Sequence, residues 1–324
     1  MRINASHPWC QPLPFKAGGH PRTWVGGLWC CLFVVAMTPA CFGQLRSSDK
    51  WAAEFYNHYR SIPDVTYKII GNKELKLDVY QRVDLTQPVP TLFYVHGGGW
   101  EHGSKSVELG SILPWLAMGW AVVTVDYRLS GEAKAPAAVE DCRSALNWVA
   151  QNAQKYGFDL ERLVISGSSS GGELALVTGM TPGGVGLDKN HPNVSLPTPA
   201  AFVNLSGVTD VNDLIDGPNR LAFAVAWIPS GPQQNEIARK VSPLTYISAN
   251  LPPILSIHGD ADQIVPYQQA VRFHEALTKA GVPNQLFTVK GGKHGGYSQD
   301  QYVRIYEVIH AFLATHHLSF PGSL

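Results

Sequence analysis

From residue 65 onward the chain alternates between short strand-like runs and longer helical runs, and this restricts its fold more than any other feature. "TLFYVH", "WAVVTVDY", "RLVIS", "AFVNLS", "PILSIH" and "QLFTV" are rich in β-branched, aromatic and aliphatic residues, as strands buried on both faces require. "ELKLDVYQ" alternates apolar and polar residues and predicts a half-exposed strand. Between these lie helical patterns. One begins at Pro136 and runs through "AAVEDCRSALNWVAQNAQKY"; two others are "YQQAVRFHEALTKAG", which ends in a glycine stop, and "QYVRIYEVIHAFLATHH". The alternation predicts an α/β fold with a mostly parallel sheet and helices on both faces. Residues 181–200 and 208–250 are richer in Pro, Gly and Asn, and read as insertions over one end of the sheet, a small lid and not a separate domain.

The first 43 residues differ in character. "WVGGLWCCLFVVAMTPACFGQ" is apolar, follows Lys16 and Arg22, and is too glycine-broken for a membrane span of about 20 apolar residues. A basic flank, a short apolar run and small residues before a polar start predict a secretory signal over 1–43, removed after Gly43, with the catalytic domain over 44–324. A later start or a retained anchor is the alternative. Cys41 raises a lipid-anchored reading, but Thr38 stands where such a signal carries a leucine-like residue. The expected location is secreted or periplasmic, without a stable membrane partner once the signal is gone. Four of the five cysteines lie in this segment. Cys142 alone remains beyond it, on a helical apolar face with Val139, Leu146 and Val149, and reads as a small buried residue. The 25 basic and 25 acidic side chains cancel, which argues against a nucleic-acid partner.

"RLVISGSSSGGELAL" places four serines within five positions, and one register fits a Gly-x-Ser-x-Gly frame: Gly167, Ser168, Ser169, Ser170, Gly171. The frame lies between a strand run and a helical run, the context that a nucleophile elbow requires. The chain must reverse there, so side chains two residues before and after Ser169 would collide. The turn strains Ser169 and presents its hydroxyl at a helix N-terminus, where partial positive charge favours a developing anion.

A serine hydroxyl needs a base, and that base needs an orienting carboxylate. In this sheet order the partners follow as acid, then histidine. "ILSIHGDADQIVP" supplies Asp262 after the predicted seventh strand, and "VKGGKHGGY" supplies His294 after the last. Both stand just past strand C-termini, the edge where such sheets bind ligands. Asp260 is an alternative acid but suits a turn cap, and Asp210 is a remote reserve. His258 reads as a hydrogen-bonded structural residue, and His316 and His317 as solvated. "HEALT" at 274–278 lacks the second histidine of a zinc motif, so no metal is expected. "YVHGGGWEHG" follows the predicted third strand, where an oxyanion loop projects; the amides of Gly98, Gly99 and Ser170 are the candidate donors. His102 stands where a nucleotide-binding loop needs its third glycine, and no cofactor is expected.

"HGGGW", "VDYRL", "GSSSGG", "HGDADQIVP" and "GGKHGG" together resemble the α/β-hydrolase superfamily. They are most similar to its esterase branch of hormone-sensitive-lipase-like carboxylesterases, especially the feruloyl- and acetylxylan-esterase-like group. The resemblance covers about residues 60–316. It implies a mostly parallel eight-stranded sheet with helices on both faces and small insertions near the active site. It also implies a Ser169–Asp262–His294 triad, an oxyanion loop over 96–99, and "DYRL" as a structural element after the fourth strand. Two departures stand out: Ser168 and Ser170 replace an acidic residue and an alanine around the nucleophile, and "SG" replaces the proline-glutamate that follows "YRL".

The expected function is hydrolysis of carboxylic esters, short-chain or carbohydrate-linked, through an acyl-enzyme. Trp100 is read either as a wall of the acyl or leaving-group pocket or as a core residue, and Trp227 as packing or a lid contact. The rivals are a prolyl-oligopeptidase-type peptidase, which usually carries a large extra N-terminal domain, and a non-catalytic binding protein. The motifs identify neither the leaving group nor the oligomeric state.

Overall fold

In the computed structural model, residues 47–319 are described, apart from 85, 107, 184 and 188–195. The expected signal segment lies outside the described residues. Eight strands form one sheet: β1 (Tyr59–Ile70), β2 (Lys73–Arg82), β3 (Val89–Val95), β4 (Ala121–Val125), β5 (Phe158–Ser168), β6 (Ala201–Leu205), β7 (Ile254–Gly259) and β8 (Asn284–Val289). Their order is β1-β2-β4-β3-β5-β6-β7-β8. β1–β2 and β2–β4 pair antiparallel, and every pair from β4 to β8 is parallel. The helices are α1 (Ser47–His58), α2 (Leu109–Ala117), α3 (Ala137–Gln151), α4 (Ala153–Tyr156), α5 (Ser170–Met180), α6 (Asn212–Ile215), α7 (Ala222–Trp227), α8 (Gln234–Lys240), α9 (Tyr267–Lys279) and α10 (Gln299–Thr315).

Strand period two divides the apolar residues between two cores. Phe93, Val95, Ile165 and Phe202 face α3, α5 and α9, whose Cys142, Leu174 and Phe273 join the same cluster. The alternate residues Leu92, Tyr94, Val164 and Val203 face α2 and α10, whose Trp115, Ile305 and Phe312 complete the second cluster. Both faces are covered, as the apolar runs require. Cys142 is wholly buried, and burial pushes its thiol well up.

β2 lies between β1 and β4 and is half-exposed, as its alternation predicts: Leu75, Leu77 and Val79 are buried, while on the other face Glu74 is exposed and Lys76 and Tyr80 are half-buried. Asp78 is the exception on that face, buried, accepting from the Asp64 amide at 2.8 Å and standing 3.1 Å from Lys105 Nζ. The helical run from Pro136 divides at Asn152 into α3 and α4. The insertion at 208–250 folds into α6, α7, α8 and a short 3-10 turn at Pro243–Tyr246.

Candidate active site

The Gly-x-Ser-x-Gly frame forms the reversal between β5 and α5. Ser169 has φ 53° and ψ −124°, a conformation costing about 1–3 kcal/mol for a non-glycine residue. A Cβ on Gly167 would lie 2.3 Å from the Gly171 carbonyl oxygen, and one on Gly171 would lie 2.2 Å from that of Val95. Neither position admits a side chain. The Ser169 amide donates to Leu205 at 2.9 Å, tying the turn to the end of β6.

At the same edge, His294 Nε2 lies 2.8 Å from Ser169 Oγ, and His294 Nδ1 lies 2.7 Å from Asp262 Oδ2. The carboxylate can only accept, so Nδ1 carries the proton and Nε2 is free to accept the serine hydroxyl. Asp262 follows β7 and His294 follows β8, so the three side chains converge from three strand ends. Asp262 is held from several sides. Its Oδ1 accepts from the amides of Ile264 (2.8 Å) and Val265 (3.0 Å), and its Oδ2 is 3.2 Å from His258 Nε2. Burial alone raises this carboxyl, but the bonds from His258 and His294 outweigh it and hold the group well below the usual carboxylate range.

The loop after β3 carries the glycines. Gly98 has φ +119°, and a Cβ there would lie 2.0 Å from the His102 carbonyl oxygen, so only glycine fits. "DYRL" braces this loop. Tyr127 stacks on His96 with ring centroids 4.4 Å apart and donates to its carbonyl at 3.0 Å, while Asp126 accepts the Lys105 amide at 2.6 Å. Gly98, Gly99, Ser169 and His294 share the wall of one cavity of about 840 Å³. Ser170 opens α5, so its amide has no intrahelical acceptor. The cavity runs down between the sheet and helices α2 and α10, past Trp115, Val203, Ile257, Ile305 and Ile309.

Trp100 does not line this cavity, which corrects its reading as a pocket wall. Its indole is wholly buried, stacks on Trp227 with centroids 4.2 Å apart, and donates from Nε1 to Glu173 at 2.9 Å. The positive φ of Trp100, 59°, turns the ring away from the loop and into the core. Trp227 is wholly buried against Trp100 and is likewise a packing residue, whereas Phe223 of α7 reaches the cavity. Asp260 accepts the Gly291 amide at 2.6 Å, and so ties the loops after β7 and β8 together instead of meeting His294. The Asp210 carboxylate stands 3.7 Å from Arg272, while its backbone amide donates to Gln269, and His274 Nδ1 lies 2.8 Å from Asn284 Oδ1; neither residue lines the cavity. Sequence reasoning missed Glu108, whose carboxylate lies in the cavity wall against Ser168 and Gly97.

A mostly parallel eight-stranded sheet with a serine elbow after its fifth strand, an acid after its seventh and a histidine after its eighth defines an α/β-hydrolase. A model of the BD-FAE family matches residues 77–277, and the chain belongs to that family. Esterase LipC of Mycobacterium tuberculosis is 33% identical over 208 residues, covering 62% of this chain and 51% of LipC. The chain thus spans about half the length of LipC and of the mycobacterial LipM that it also matches. Among solved structures, the thermophilic esterase Est2 of the planctomycete Thermogutta terrifontis superposes with a TM-score of 0.68 at 27% identity, over 84% of this chain and 96% of that one. A truncated carbohydrate esterase from gut microbiota gives 0.68 at 26% identity, over 81% and 98%.

Proposed function

We propose that the chain is a secreted serine esterase that hydrolyses carboxylic esters of small molecules or carbohydrates. The observation that carries this reading is the continuous path from Ser169 Oγ through His294 to Asp262, opening on a cavity that also receives the Gly98 and Gly99 backbone. Ser169 Oγ attacks the ester carbonyl as its proton passes to His294 Nε2. The carbonyl oxygen becomes negative and faces the amides of Gly98, Gly99 and Ser170, of which each such donor is worth about 3–4 kcal/mol in the transition state. Collapse breaks the C–O bond, and the leaving alkoxide takes the proton from Nε2. A water then gives its proton to Nε2 and attacks the acyl-serine, and the returning proton frees Ser169. Asp262 keeps the imidazole in the required tautomer throughout.

The names of the similar proteins, esterases in every case above, support this reading. The basic flank and short apolar run within residues 1–43 support export. The test is release of p-nitrophenol from short-chain esters by the wild type and by Ser169→Ala. Loss of turnover by about 10⁴-fold or more in the variant is the expected result. Equal turnover in both proteins, or none in the wild type, would overturn it.

A further inference from the structure

Glu108 precedes α2 and is half-buried on the cavity wall. Its Oε1 accepts the Gly97 amide at 2.9 Å and stands 2.8 Å from Ser168 Oγ; its Oε2 stands 2.8 Å from the same hydroxyl and accepts the Tyr94 hydroxyl. All three partners are donors, and a carboxylate meets each of them as acceptor. They come from separate places: Tyr94 from within β3, Gly97 from the loop after it, and Ser168 from the last position of β5.

Two of these partners are chain neighbours of the reacting groups. Gly97 precedes Gly98, whose amide is an oxyanion donor in the proposed reaction, and Ser168 precedes Ser169. Apart from the carboxylate, the two segments approach closely: a Cβ on Gly97 would lie 2.9 Å from both oxygens of Ser168. A backbone that close to another backbone has little freedom to adjust. A bridge across that gap therefore sets the separation between nucleophile and oxyanion amides, and such separations tolerate errors well under 1 Å.

We propose that Glu108 is a positioning residue that clamps the oxyanion loop to the nucleophile elbow. It acts through Gly97 and Ser168, not on the substrate, because these bonds already engage both its oxygens. The inference rests on the esterase reading for its effect on rate, but its effect on the loop stands apart from that reading.

The experiment compares wild type with Glu108→Ala, Glu108→Gln, Ser168→Ala and Ser169→Ala, using steady-state kinetics on p-nitrophenyl esters and amide hydrogen exchange over residues 94–103. Glu108→Ala should lower kcat about 10- to 100-fold with KM changed by less than about threefold, and speed exchange at Gly97 to Gly99. Glu108→Gln should recover most of both. Its amide oxygen can accept from Gly97, and the Tyr94 and Ser168 hydroxyls can turn to accept from its NH₂. Ser168→Ala, which removes one strut, should cause a smaller loss than Glu108→Ala, and the Glu108→Ala/Ser168→Ala double variant should lose less than the two single losses combined. Unchanged exchange in Glu108→Ala, or a glutamine variant as impaired as the alanine one, overturns the proposal. If Glu108→Ala does not fold, the glutamine variant and Ser168→Ala decide the matter, and wild-type kcat together with wild-type exchange in Ser168→Ala overturns the clamp. If Ser169→Ala hydrolyses esters like the wild type, the esterase reading fails and exchange alone judges the clamp.

Discussion

His258 Nε2 stands 3.2 Å from Asp262 Oδ2, the same oxygen that His294 Nδ1 meets at 2.7 Å. The Val265 carbonyl lies 2.9 Å from His258 Nε2 and can only accept, so that nitrogen carries the proton and shares it between carbonyl and carboxylate. Nδ1 of His258 is then a bare acceptor, buried and without a partner among the described residues. His258 holds Asp262 from behind while Asp262 holds His294.

Replacing His258 by phenylalanine keeps much of the ring volume and removes the donor. The Asp262 carboxyl should then rise towards its ordinary value. A lowered carboxyl stabilises the fold fully above its unfolded value, about 3.9, and that contribution fades as pH falls through the folded value. The unfolded value is common to both proteins, so the stability gap between wild type and His258→Phe should be full near pH 7, about 1–3 kcal/mol, and narrow only as pH falls through the variant's raised folded value towards that of the wild type. Chemical denaturation at a series of pH values from 7 down to 2 measures it. A gap that widens in acid would contradict the assignment.

Glu173 has the opposite balance. It is wholly buried, burial pushes its carboxyl well up against the opposing bond from Trp100, and its Oε1 has no partner among the described residues. A raised carboxyl costs the fold stability as pH climbs above the unfolded value of about 4.3. Glu173→Gln keeps the acceptor for Trp100 and abolishes the titration. Its stability relative to wild type should therefore increase from pH 4.5 to pH 8, read as a growing difference in Tm. Trp100→Phe, by contrast, strips the carboxyl of the donor that bonds it among the described residues and should destabilise by about 1–3 kcal/mol.

Gly98→Ala tests the loop directly. The added methyl meets the His102 carbonyl at 2.0 Å and the backbone stands at φ +119°, so the loop must shift. The expected outcome is a kcat lower by about 10²-fold with a Tm near that of wild type, since the loop lies at the cavity rim. A kcat within twofold of wild type would show that the Gly98 amide does not face the oxyanion.

Buried strands, and the edge at which they end, were readable because apolar composition and chain order are local signals. Ser169, Asp262 and His294 each follow such a strand, so their meeting was expected from order alone. β1 was not readable: Pro63 and Asp64 interrupt its pattern, and the observed strand carries a register shift between Ile62 and Val65. Trp100 was ambiguous because a residue within a glycine loop points to cavity or core according to one backbone angle. Glu108 lay beyond reach for a different reason. Its partner Ser168 is 60 residues away, and nothing around it in the chain marks a carboxylate that folding will place beside a nucleophile.

The depth of the cavity leads to a prediction about the acyl group. Tyr302, Ile305, Tyr306 and Ile309 recur along α10 at one-face spacing and line the cavity for seven residues, about 10 Å at 1.5 Å per residue. Glu101 and His102 are exposed at its mouth. In the proposed reaction the alcohol leaves after the first step while the acyl group stays on Ser169, so the apolar arm that ends at the buried Ile305 and Ile309 suits the acyl chain, and the exposed mouth suits the alcohol. Each methylene buried there contributes up to about 0.8 kcal/mol. Wild-type kcat/KM should therefore rise from acetyl to hexanoyl esters. Ile309, buried at 5% exposure, sits seven residues along this face. Ile309→Trp should block the arm, cutting kcat/KM for the hexanoyl ester about 10-fold or more while the acetyl ester changes least. A chain-length profile unchanged by the tryptophan, in a variant with an intact melting transition, would place the acyl group elsewhere.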